Sequence, residues 1–404
     1  MTEKTEVINQ SAGELDSRKG WVAVGTAFAS TFIVFGIAYS FGAFFNPMAS
    51  EFNASRSATS AVFSITIFLS LTGGIITGPL SDRFGPKPVL ICGGLAIGIG
   101  LYLTSIVNSI WIGYVTYGLG VGIGVACGYV PMIAVVGAWF EKRRAGALGI
   151  AVTGVGFGTL VMAPLAASLI NKYGWRQTYV IFSVLSLVML AVCAFLTPRP
   201  PAASGEDVKK SLGQLIRTPI FRYMYLGALF NTLALFVPFV FLVPYAKSQG
   251  INEVAAASLM GIIGGASIAG RLIFGALGDK VSSIRLFQAT FFIAALSYLV
   301  WLLASDSFIL LVCFAAFLGT GYGGFIALSP VVTAELFGLV GLGSILGAMY
   351  TAAGIGGLIG PPLAGYLIDR TGSYSPAILT AMIFGFIAFL FLIPILRYMK
   401  RQIQ

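Results

Sequence analysis

The chain has 404 residues, 57% of them hydrophobic and only 9% charged, with a net charge of +10 and a mean hydropathy of +0.93. A soluble domain carries about 25% charged residues, so the composition excludes a water-soluble globular protein and implies an integral membrane protein. The absence of histidine removes the usual metal ligand and the usual proton shuttle near neutral pH.

Residues 1–20 read as a polar tail, without the apolar core and small-residue cleavage site of a secretory leader. Twelve apolar segments follow, at 21–48, 57–80, 88–107, 110–138, 144–171, 176–197, 221–247, 253–278, 283–304, 307–334, 342–369 and 375–398. Each is near or above the ~20 residues that span a bilayer, and the longer ones imply tilt. The one long loop, 198–220, contains Pro198-Arg199-Pro200-Pro201, Gly205 and Lys209-Lys210, the composition of a linker. The chain therefore divides into a tail, a six-helix half at 21–197, the linker, a second half at 221–398 and a short tail at 399–404. The expected fold is an all-α membrane protein of two pseudo-symmetric halves.

Taking loops alternately, 18 of the 24 Lys and Arg residues fall on the side that carries both termini. The other side has Arg56, Lys172, Arg176, Lys247 and Arg370, and the one remaining cation is Arg271. This is the positive-inside pattern. It places both termini in the cytoplasm and assigns the net positive charge to a membrane surface, not to nucleic acid. The four cysteines all lie in apolar runs, which argues against a disulfide framework.

The halves repeat. Gly78-Pro79-Leu80-Ser81-Asp82-Arg83 returns 197 residues later as Gly275-Ala276-Leu277-Gly278-Asp279-Lys280. Pro164-Leu165-Ala166 matches Pro362-Leu363-Ala364 at an offset of 198, and Gly122, Gly124 and Pro131 match Gly321, Gly323 and Pro330 at 199. Parallel repeats of this kind enclose a substrate site between them near the middle of the membrane. The abundant glycines read as packing positions, and Gly354 to Gly357 before Pro361-Pro362 as a closely packed, bendable helix.

Arg271 is the residue that stands out. It is the only charge between Ala255 and Leu277. An arginine deep in a membrane helix costs ~2.5–3.5 kcal/mol on insertion scales and by default marks function, snorkelling to the interface being the alternative. All 14 acidic residues lie in loops or at segment ends, so no carboxylate is buried with it. An unpaired buried cation calls for an anionic partner, and a guanidinium fork suits a carboxylate; backbone carbonyls or water in an open cavity are the competing partners. One cation neutralises one carboxylate, which favours a monoanion.

Several motifs resemble a known family. Gly78-x-x-x-Asp82-Arg83-x-Gly85-x-Lys87 resembles the cytoplasmic loop signature of the major facilitator superfamily. Within it the chain is similar to the monocarboxylate transporter family over nearly its whole length. Gly20-Trp21 with Asp16 partly matches that family's first-segment signature, Ala23 standing where a second tryptophan is usual. Trp139-Phe140-Glu141-Lys142-Arg143-Arg144-Ala145-x-Ala147-x-Gly149 resembles its fifth-segment signature more fully. Phe239-x-Phe241-x-x-x-Tyr245-x-Lys247-Ser248-Gln249 and Gly360-Pro361-Pro362-Leu363-x-Gly365 strengthen the likeness. The resemblance implies the major facilitator fold and secondary transport of small monocarboxylates such as lactate or pyruvate in symport with protons, by alternating access. It makes Arg271 the carboxylate anchor and Phe325 an aromatic that sizes the pocket.

Two departures matter. Ser267 stands where the family has an aspartate one turn before the arginine, and Tyr39 stands where animal members have a lysine. Both remove ionisable groups on which the family's proton coupling rests, so a proton would have to travel with the substrate or use a loop acid such as Glu335. Exchange of organic anions is therefore the alternative. The oxalate:formate exchangers, which the chain also resembles, carry a second basic residue in segment 11; that segment has none here before Arg370.

The expected binding residues are Arg271, Tyr39, Asn231, Ser267, Phe325 and Tyr350, with Tyr117 and Tyr129 as weaker candidates and packing as the alternative for each. Asp82, Arg83, Arg144, Asp279 and Lys280 are the expected gating residues, a latch between the halves on the cytoplasmic face. No nucleophile–base pair or metal cluster is visible, so an enzyme is not expected, and no cofactor or obligate protein partner is implied. A sensor without flux is a third reading, disfavoured because such proteins usually carry a signalling extension. The compact loops suggest a prokaryotic inner-membrane protein.

Overall fold

The computed structural model describes residues 15, 17–140, 143–199, 217–278, 281–337 and 342–397. Among these there is no strand. Ten helices are long and apolar enough to cross a membrane, and a pair bent by 42°, Arg56–Thr72 and Gly74–Ser81, makes an eleventh span. The longest helix, Arg144–Leu196, is broken at Gly174 (φ 81°, ψ 163°) and so holds two, giving the twelve expected. We number them α1 (Arg18–Glu51), α2 (Arg56–Thr72 with Gly74–Ser81), α3 (Pro86–Ser105), α4 (Ile110–Trp139), α5 (144–173) and α6 (175–196) in the first half. The second half holds α7 (Pro219–Ser248), α8 (Glu253–Gly278), α9 (Ser283–Ala304), α10 (Phe308–Phe337), α11 (Leu342–Thr371) and α12 (Ser375–Arg397).

The turns between spans use residues suited to reversal. Gly85, Gly174, Gly250 and Gly372 all have positive φ, which costs glycine little. Asn53 (φ 48°) and Gly250 (φ 83°) lie 197 positions apart, and Gly174 and Gly372 lie 198 apart, so the repeat is visible in backbone conformation. Ser55 caps α2 by accepting from the Ala58 N–H, and Thr218 caps α7 from Phe221 ahead of Pro219. The bend in α2 falls at Gly73-Gly74, where an added Cβ would press on the Leu69 carbonyl at 2.6 Å or on Val130 at 2.6 Å.

Glycine sets the helix crossings. On α5, Gly154 and Gly158 bring the backbone against the carbonyls of Phe28 and Phe32 in α1. On α11, Gly356 comes against the Thr232 hydroxyl and the Leu229 carbonyl, and Gly360 against the Leu233 carbonyl, in α7, the equivalent pair in the second half. The α4/α10 pairing differs from the sequence expectation. Gly122 packs on α2 and Gly124 on α3, whereas Gly321 packs on α9 and Gly323 on α8. By neighbour, Gly118 and Gly122 correspond to Gly319 and Gly323, an offset of 201. Glycines recur at every second residue here, so a slip of two positions matches residue types equally well.

A Cβ at Gly323 would stand 2.0 Å from the Ser267 carbonyl, a backbone atom that cannot swing away. Gly323→Leu is expected to cost upwards of about 1–3 kcal/mol and to abolish monodisperse protein in size-exclusion chromatography. Gly25→Leu, where nothing lies within 4 Å, should leave the elution profile unchanged.

Outward faces carry apolar stripes at helical spacing, such as Val184, Val188, Val192 and Phe195 on α6 and Leu95, Ile99 and Leu103 on α3. These are the surfaces that face lipid tails.

The halves meet on the face away from the termini. There the backbone N–H groups of Arg56 and Ser57, at the start of α2, donate to the two carboxylate oxygens of Asp369 near the end of α11, at 3.1 and 3.0 Å. The Ser57 hydroxyl donates to the Pro362 carbonyl at 3.0 Å, and the Arg56 guanidinium lies 5.4 Å from the Tyr374 ring. Tyr39 and Phe45 of α1 pack their rings on Phe239 and Phe241 of α7. Gly156 and Gly264 join α5 to α8 at mid-height. Toward the termini face, an added Cβ at Gly146, Gly149, Gly275 or Gly347 would meet nothing within 4 Å among the described residues. Among the described residues, the halves are thus joined on the face away from the termini and at mid-height.

Candidate functional site

The site is built from helix faces that the glycine crossings leave pointing between the halves. From the first half come Phe35 and Tyr39 on α1, Leu71 on α2, Tyr129 on α4 and Val152 and Val155 on α5. From the second come Ala228, Thr232, Leu235 and Phe236 on α7, Phe287 on α9, Tyr322, Phe325, Ile326 and Ser329 on α10, and Met349, Tyr350 and Ala353 on α11. Together they enclose about 810 Å³ of space, including its open mouth.

Arg271, on α8, lies behind the lining and is joined to it through Val152, within electrostatic reach of Tyr39, Tyr129 and Tyr322; it is not itself a lining residue. It is only 8% exposed, and its Nη1 donates to the Val152 carbonyl of α5 at 2.6 Å, a bond that crosses between the halves. Its Nε and Nη2 are buried and have no hydrogen-bond partner among the described residues. Buried polar groups are nearly always bonded, so two free donors on one buried cation point to a ligand. Tyr39, Tyr129 and Tyr322 lie within electrostatic reach of the guanidinium. The cavity lining contains no aspartate or glutamate.

The four cavity tyrosines pair across the halves. The Tyr39 and Tyr322 hydroxyls share a hydrogen bond of 3.2 Å between α1 and α10, and the Tyr129 and Tyr350 hydroxyls approach one another between α4 and α11. A neutral phenol can donate to or accept from a ligand oxygen, so these pairs are groups a substrate can break into.

The structure brings Tyr39, Phe325 and Tyr350 to the cavity lining, together with Tyr129, and of these Tyr39 and Tyr129 are within electrostatic reach of Arg271. Phe325 also stacks on Phe287 at 5.8 Å between ring centres, which holds it upright in the wall. Asn231 is placed elsewhere. It sits with Ala294, Tyr298 and Gly385 in a crevice among α7, α9 and α12, because the cavity face of α7 is the Ala228–Thr232–Leu235–Phe236 stripe and Asn231 falls on its flank. Ser267 is also a packing position: its hydroxyl donates to the Gly264 carbonyl at 2.8 Å, and its backbone abuts Gly323. Tyr117 is buried between Phe41 and Tyr179, away from the cavity lining. Glu335 is exposed and accepts from the Ser283 hydroxyl at 2.7 Å.

Of the expected gating residues, Arg83 is exposed with its guanidinium 5.1 Å from the Phe84 ring. Asp279, Lys280 and the side chains of Asp82 and Arg144 lie outside the described residues. Two positions that join the halves escaped the sequence reading. Tyr322 is a lone polar aromatic between Gly321 and Gly323, a signal that was available. Asp369 joins the halves through backbone N–H groups, which leave no signature in residue types.

Comparison with known proteins agrees with this geometry. The sequence profile of the Major Facilitator Superfamily matches residues 27–307. Monocarboxylate transporter 13 of Rattus norvegicus is 34% identical over 91% of this chain and 86% of its own length. Monocarboxylate transporter 12 of Rattus norvegicus is 33% identical over 95% and 87%. Among solved structures, a bacterial homolog of the human lysosomal transporter Spinster, in an inward-facing and occupied conformation, superposes with a TM-score of 0.75 at 17% identity. That match covers 93% of this chain and 96% of the other and speaks for the fold alone. The protein is a transporter and not an enzyme, and it belongs to the monocarboxylate transporter family of the major facilitator superfamily.

Proposed function

We propose that the chain carries a small monocarboxylate across the cell membrane by alternating access, with the substrate carboxylate paired to Arg271. The observation that carries this reading is the pair of unbonded, buried donors on Arg271 beside a cavity without an acid. A carboxylate there would take two charge-assisted hydrogen bonds and neutralise the cation. The distribution of basic residues supports a cytoplasmic termini face, and the closure at Asp369 on the opposite face then supports an inward-open state. Lipid and a monocarboxylate are then the only partners the reading needs, besides protons.

Proton symport is the form of coupling that the family likeness favours. The acid-free cavity favours a second form, exchange of one anion for another, because an empty carrier would have to move an unpaired buried arginine. Uptake of labelled L-lactate into proteoliposomes, acid outside and neutral inside, separates them. Symport predicts accumulation that a protonophore collapses. Uptake that ignores the pH gradient and requires anion preloaded inside would show exchange instead.

A further inference from the structure

We propose that the acid this cavity is shaped for carries an aromatic ring, as in a 3-aryl-2-hydroxy- or 3-aryl-2-oxopropanoate, and is larger than lactate; this rests on the monocarboxylate reading above. The lining is the first argument. Eight of its 18 residues are aromatic, against 13% in the whole chain. Four are phenylalanines, Phe35, Phe236, Phe287 and Phe325, and they come from both halves. Rings prefer edge-to-face or offset contact with other rings, so such a wall discriminates for an aryl group over a methyl.

The polar groups narrow the class further. Thr232 donates its hydroxyl to the Ala228 carbonyl of its own helix, which leaves the paired tyrosines and Ser329 as the lining hydroxyls that a substrate oxygen can engage. No carboxylate lines the cavity to receive an ammonium, so an aryl amino acid would bury its positive group unpaired. The site therefore takes the hydroxy or oxo acid and rejects the amino acid of the same shape.

The test is uptake by wild-type protein in proteoliposomes of labelled 3-phenyllactate and L-lactate, with L-phenylalanine as competitor. The expected result is a kcat/KM at least about tenfold higher for 3-phenyllactate and no inhibition by an equal concentration of phenylalanine. Lactate handled as well as or better than phenyllactate would overturn the aryl assignment and leave the monocarboxylate reading standing. Phenylalanine competing as an equal would overturn it too. Uptake of neither acid, by protein that elutes as a single species, would overturn both.

Discussion

Replacing Arg271 with glutamine is expected to abolish transport of every monocarboxylate the protein carries. Removing one partner of a buried, hydrogen-bonded charge pair costs about 2–5 kcal/mol, or roughly 30- to several-thousand-fold in affinity. The free donors Nε and Nη2 are the groups lost, while Nη1 is already committed to the Val152 carbonyl across the halves. Arg271→Lys should recover little. An ammonium is a single point charge and cannot hold the carbonyl and a planar carboxylate in one fork. Uptake rates normalised to reconstituted protein check both variants. Because a neutral glutamine removes an unpaired buried charge, folded yield should not fall, and a loss of flux at full yield separates the anchor role from a structural one.

The second large effect is expected at Asp369. Its carboxylate spans the N-terminus of α2, accepting from Arg56 and Ser57, and so ties the halves on the face where they touch. A capping carboxylate at a helix N-terminus contributes about 1–2 kcal/mol. Any state open on this face must break it. Asp369→Ala should therefore shift the conformational equilibrium about 5- to 30-fold toward the state open on that face, and Asp369→Asn, which keeps an acceptor without the charge, should shift it less. Spin labels at the exposed Asn53 and Ser373, with the four native cysteines replaced, report the change as a new population at longer distance. An unchanged distribution in lipid would mean that the other contacts, such as Gly365 against Ser57, hold this face shut by themselves.

Much of this architecture was legible in residue types. The bilayer demands long apolar helices, so the twelve spans stand out in the sequence, and the turn residues Gly174 and Gly372 repeat in conformation as they do in position, whereas most of the linker expected at 198–220 lies outside the described residues. Arg271 stood out because a buried charge is rare. What was not legible is azimuth and partner. Asn231 differs from Thr232 by one residue and about 100° around α7, enough to move it from the cavity to a crevice behind. Ser267 lies one turn before Arg271, yet the close approach of Gly323 assigns it to packing. The latch expected at Asp82 and Asp279 has a described counterpart on the other face, at Asp369, whose partners are backbone N–H groups that any residue supplies.

The central claim is that a carboxylate completes Arg271. The most direct measurement is equilibrium binding by calorimetry to the purified protein of a transported acid and of its uncharged carboxamide, which keeps nearly the same shape. The claim predicts binding of the acid, at least about 30-fold weaker binding of the amide, and loss of that difference in Arg271→Gln. Equal affinity for acid and amide, or an Arg271→Gln protein that binds the acid as wild type does, would contradict it.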